Sequence, residues 1–73
     1  MRVVVVVNIE AKKGRSTEAL EIMEKSQEFC LSMDSCSGFE ILQCQDDDHK
    51  FSFIERWSST EAHKAFLEQR RLH

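Results

Sequence analysis

Residues 2–11 read Arg2-Val3-Val4-Val5-Val6-Val7-Asn8-Ile9-Glu10-Ala11. Five valines and an isoleucine are β-branched, which costs little in an extended strand and crowds a helix. Alternation puts Val3, Val5, Val7 and Ile9 on one face and Val4, Val6 and Asn8 on the other. This strand is apolar front and back, and one layer of helices from a short chain covers only one side of its sheet. The second side requires a neighbour. The 73 residues form one domain, residues 1–73, and a chain of that size removes only about 60% of its unfolded surface from water. Self-association, as a homodimer or larger homo-oligomer, is the expected remedy.

Beyond the strand, Lys12-Lys13-Gly14-Arg15 is a polar turn in which Gly14 is free to take positive φ. Ser16 or Thr17 supplies a helix cap, with Glu18 and Glu21 at the positive end. Ala19, Ile22, Met23, Ser26, Cys30 and Met33 recur at three- and four-residue spacing, and Leu20 and Leu31 widen the stripe. The helix is expected to end near Met33, before the turn-prone stretch Asp34 to Gly38. Phe39 to Gln45 reads as a second strand, with Glu40, Leu42 and Cys44 on one face; Asp46 to His49 is a hairpin connection. Lys50 to Trp57 forms a third strand, with Phe51, Phe53, Glu55 and Trp57 on one face and Ser52, Ile54 and Arg56 on the other. Ser58 with Glu61 fits a capping box, and a second helix follows with Ala62, Ala65, Phe66 and Leu72 roughly aligned. The order β-α-β-β-α predicts an α+β, ferredoxin-like fold with an antiparallel sheet, its final strand missing.

Ten basic against thirteen acidic side chains leave a net charge of -3, which argues against a nucleic-acid partner. The longest apolar run, Val3 to Val7, is too short for a membrane span or a secretory leader, so a cytoplasmic protein is expected. Cys30, Cys36 and Cys44 show no C-x-x-C spacing and read as reduced thiols used as small hydrophobes. Asp46-Asp47-Asp48-His49 lacks the spacing and glycine of a calcium loop; it reads as a solvated hairpin tip, and no metal is expected.

The valine-rich strand followed by Lys13-Gly14 and a helix is similar to the opening of the antibiotic biosynthesis monooxygenase domain. Ser37-Gly38-Phe39 resembles that family's Pro-Gly-Cys-like entry to the second strand. Phe51-Ser52-Phe53-Ile54-Glu55-Arg56-Trp57-Ser58-Ser59 resembles its aromatic strand ending in Glu-x-Trp before a capped helix. The resemblance covers almost the whole chain. It implies a dimeric α/β barrel, in which two sheets pack face to face with helices outside. It also implies an activity among those of the family, which include cofactor-independent, quinone-forming oxygenases of aromatic compounds and haem-degrading enzymes. Relatives usually end in a fourth strand beside the first, whereas this sequence stops at His73 inside or just after the second helix. They often carry a histidine nine residues past the tryptophan, where this chain has Phe66, with His63 three residues earlier and His73 seven later. The asparagine of the haem-degrading branch falls near Val7, not on Asn8. No cofactor is expected, and haem finds no support in these positions.

If the aromatic face lines a cavity, Phe51, Phe53 and Trp57 suit a flat hydrophobic ligand, and Glu55 is the carboxylate placed to accept a proton. The candidate catalytic residues are therefore Glu55 and Trp57, and the candidate ligand-binding residues Phe51, Phe53, His63 and Asn8. Equally, the rings fill a core with Glu55 paired to a cation, His63 is solvated, and Asn8 ends a strand. Two functions follow: a small cofactor-independent monooxygenase of an aromatic or quinol-type substrate, or a non-catalytic dimeric module for ligand or protein binding.

Overall fold

The computed structural model describes residues 1–71; Leu72 and His73, read above as the end of the second helix, lie outside the described residues. The elements are β1 (Val3–Glu10), α1 (Ser16–Leu31), β2 (Cys36–Gln43), β3 (Lys50–Trp57) and α2 (Thr60–Arg71). β3 is the central strand of a three-stranded sheet of order β1-β3-β2. Both neighbours run antiparallel to it, β1 in unbroken register from Val3 opposite Trp57 to Glu10 opposite Lys50. The α+β, ferredoxin-like order is thus present, with no fourth strand among the described residues, so the outer edge of β1 is unpaired.

β2 starts three residues earlier than expected. Cys36 pairs with Trp57 and Gly38 with Arg56, leaving Ser37 as the extra residue of a bulge. The bulge resets the alternation, so Cys36 and Phe39 both face the core. Read without the bulge, Ser37-Gly38 looked like a turn. Gly14 does occupy the positive-φ turn position, at φ +79°. The expected cap at Ser16 or Thr17 is not formed: Arg15 is the N-cap residue without a side-chain cap bond, and Ser16 Oγ lies 3.1 Å from His49 Nδ1. At α2 the cap is Ser59, not Ser58, with the Ala62 N–H donating to Ser59 Oγ at 3.0 Å. The Ser58 N–H instead donates to the Ser35 carbonyl, which ties the residue after β3 to the residue before β2.

One face of the sheet meets both helices. The core there is Met23, Cys30, Cys36, Phe39, Phe51, Phe53, Trp57 and Phe66, with Glu55 buried among them. Its aromatic centre is Trp57 against Phe66, centroids 4.8 Å apart, with Phe29 on Phe66 at 5.5 Å and Phe39 stacked on Phe53 at 5.0 Å. Phe29 belongs to this packing in place of Leu20 and Leu31, which point outward. Among the described residues no helix lies on the opposite face: Val4 and Val6 are each 59% exposed, beside Ile54 and Leu42. No helix among the described residues is long and apolar enough to cross a membrane.

Candidate functional site

α1 packs chiefly on β2, and α2 on β3. Neither helix fully covers the inner face of β1, whose Val3, Val5, Val7 and Ile9 are only half-buried. The consequence is a cleft of about 300 Å³ between sheet and helices. Val5, Val7, Ile9 and Phe53 form its floor, Ile22, Met23 and Ser26 of α1 one wall, and His63, Leu67 and Arg70 of α2 the other.

Glu55 is the carboxylate of this cleft and is 4% exposed. A buried carboxylate needs partners. Trp57 Nε1–H donates to Glu55 Oε1 at 2.8 Å, and His63 Nε2 lies 3.9 Å from the same oxygen. Oε2 carries neither contact. Since no buried side-chain oxygen or nitrogen among the described residues is both enclosed and unpaired, Oε2 keeps access to the cleft. The imidazole of His63 also lies over the Trp57 indole, centroids 5.6 Å apart. Trp57, His63 and Glu55 thus form one contiguous unit.

The same burial acts on a neighbouring thiol. Cys30, 1% exposed, has its pKa raised to about 12, first by burial, then by the charge of Glu55 and by Cys36, with Arg70 pulling the other way. Cys30 is therefore a packing group at neutral pH and no nucleophile. Cys36 is buried as well, and Cys44 is exposed.

Of the residues singled out from the sequence, the fold brings Phe53, Glu55, Trp57 and His63 together. Two stand apart. Asn8 is exposed on the helix-free face, where its Oδ1 accepts the Ser52 hydroxyl at 2.7 Å. Phe51 fills the core at the far end of the sheet, and both border a separate open hollow of about 490 Å³ that also includes Cys44 and Lys50. That hollow lacks Glu55 and His63. Trp57 is fully enclosed and does not line the cleft; its indole N–H meets the cleft carboxylate, Glu55. Arg70 and Leu67 went unread in the sequence, although His63, Leu67 and Arg70 stand at i, i+4 and i+7 and so share one face of α2.

At the hairpin tip Asp47, Asp48 and His49 bring one ligand atom each within 4.8 Å of one another. These groups serve the turn: Asp47 Oδ1 accepts the His49 N–H at 3.0 Å, and His49 Nδ1 faces Ser16 Oγ.

The antibiotic biosynthesis monooxygenase family model matches residues 2–72. The chain belongs to the antibiotic biosynthesis monooxygenase family. No curated protein and no solved structure matches it. Within the family frame, the position nine residues beyond Trp57 is occupied by Phe66, buried against Trp57 and Phe29. The nitrogen nearest to that role is His63 Nε2, one turn earlier and directed at Glu55. Val7, near which the resemblance puts the asparagine of the haem-degrading branch, has a side chain that offers no hydrogen bond. The donor set of the cleft does not fit haem, and no step through haem follows from this antibiotic biosynthesis monooxygenase domain.

Proposed function

We propose that this chain is a small cofactor-independent monooxygenase that acts on a flat aromatic or quinol-type molecule held between the sheet and α2, in a homodimer. The observation that carries the reading is the half-committed carboxylate: Glu55 has Oε1 fixed by Trp57 and Oε2 open to an apolar cleft. An apolar cleft with one buried base suits proton abstraction from an electron-rich ring, because the base is held without the shell of water that would weaken it. Glu55 takes the proton of the ring hydroxyl, and the resulting phenolate adds molecular oxygen at the ring carbon that carries its carbanion character. The adduct is protonated to a hydroperoxide with that carbon still bearing its hydrogen. Loss of water then leaves the quinone carbonyl. The two electrons that reduce the second oxygen atom come from the substrate. His63, beside Glu55, is placed to pass the accepted proton toward solvent.

Oxygen uptake over a panel of quinols tests this. Glu55→Gln keeps the oxygen that accepts the Trp57 N–H but removes the base, and it is expected to lower the rate about 10²-fold or more. Equal uptake by both proteins excludes Glu55 as the base.

A second reading, a non-catalytic dimeric ligand-binding or interaction module, is favoured by Phe66 at the position where relatives carry histidine. Under that reading, aromatic compounds bind stoichiometrically with no product. Steady turnover counts against it. The homodimer is supported in either case by Val4 and Val6, exposed side by side on a helix-free face next to an unpaired strand edge.

A further inference from the structure

The cleft has a polar gradient along α2. At its inner part, His63 and the 4%-exposed Glu55 hold the reactive unit. Two turns on, Arg70 lines the same cleft from an exposed position. Most other arginines have acids: Arg15 is bridged to Glu18, Arg56 to Glu40 and Arg71 to Glu68. Arg70 has neither a hydrogen bond nor an ion pair among the described residues. A cation on the rim of an apolar cleft, in a chain with three more acids than bases, is the natural receiver of a ligand's negative charge.

Spacing fixes the shape of that ligand. Seven helical residues separate His63 from Arg70, a rise of about 10 Å. That matches a bicyclic arene with a hydroxyl at one end and a carboxylate at the other. Leu67, between them on the same face, and Val7 and Phe53 beneath supply apolar contact for the rings. We propose that the substrate is a hydroxyarene carrying an acidic group at its far end, which Arg70 binds while the hydroxyl end lies at Glu55 and His63. This rests on the reading of the cleft as the ligand site, and it adds Arg70 as the residue that selects an anion and sets which end of the ring meets the base.

The test uses 6-hydroxy-2-naphthoate and its methyl ester, with binding followed by ligand fluorescence and by the NMR signal of the Trp57 indole N–H. The acid is expected to bind about five-fold more tightly than the ester. Arg70→Gln should abolish that preference by lowering the affinity for the acid about five-fold, and Arg70→Lys should retain part of it. Because Arg70 is exposed, its replacement leaves the core intact. Equal affinity of acid and ester for the unmodified protein overturns the role of Arg70 and leaves the cleft standing. If neither compound moves the Trp57 signal, the cleft is not the ligand site and both readings fall.

Discussion

The bond between Trp57 and Glu55 is what makes the site a site, and a double-mutant cycle measures it. Trp57→Phe keeps an aromatic ring in the core but removes the indole N–H that donates to Glu55 Oε1 from 2.8 Å away. A hydrogen bond to a charged acceptor contributes about 1.5–3 kcal/mol, and a neutral pair about 1 kcal/mol. Trp57 is fully enclosed, so the smaller ring also leaves a void, which costs about 24 cal/mol per Å³. The void term is common to both arms of the cycle. In the Glu55→Gln background the indole still meets an oxygen, now neutral, and Trp57→Phe costs only the neutral bond plus the same void. The penalty of Trp57→Phe should therefore be about 1 kcal/mol larger in the unmodified protein than in the Glu55→Gln background. Urea unfolding at pH 7 and one fixed protein concentration gives all four stabilities, the concentration being held because association shifts the midpoint. Two penalties equal within about 0.5 kcal/mol would refute the reasoning, because the indole would then gain nothing from meeting a carboxylate in place of an amide.

Thiol reactivity should follow burial: with a thiol reagent at pH 8, Cys44 alone reacts in the folded protein, and Cys30 and Cys36 follow only at the unfolding rate. Because Cys30 holds its proton to about pH 12 when folded but only to its ordinary 9.0 when unfolded, its contribution to stability is complete below pH 9 and fades as pH rises from 9 toward 12. A Cys30→Ala protein should show a shallower loss of urea midpoint over that range; parallel curves would contradict it. Ser59→Ala should cost about 1 kcal/mol through the lost α2 cap, whereas Ser58→Ala should stay within about 0.5 kcal/mol, both read from urea midpoints. Val6→Arg, on the helix-free face, should convert a dimer to an 8.5 kDa particle in light scattering while leaving ligand binding in place. A wild-type particle of 8.5 kDa at micromolar concentration would show that the open face needs no partner.

Much of the fold was legible because the strands carry their own period. Phe51, Phe53, Glu55 and Trp57 alternate without interruption, and β3 has the bounds read from the sequence. The valine run likewise placed β1 to within a residue at each end. What failed was where one residue changes the register. Ser37 is spent on a bulge, which turns an apparent loop into the first pair of β2, and a serine doublet hides which hydroxyl caps α2. His63 was a candidate ligand-binding residue weighed against a solvated one, and that Glu55 and Trp57 share a strand face was readable. The identity of the cleft was not. It depends on the two helices leaving β1 half-covered, a tertiary outcome without a local signal, and this excludes Asn8 and Phe51 while admitting Leu67 and Arg70. The family resemblance added the frame but not the chemistry, since the match covers residues 2–72 as a whole and assigns no role to a residue of the cleft.

The chain has a single tryptophan, so its indole N–H gives one NMR signal that reports directly on the bond to Glu55. Titration of isotope-labelled protein with 6-hydroxy-2-naphthoate should shift that signal together with the amides of Val7, Ser26 and His63, and leave Val4, Asn8 and Ser52 unmoved. Shifts confined to Asn8, Leu42, Cys44 and Ser52, with the indole signal fixed, would place the ligand in the other hollow and contradict the account.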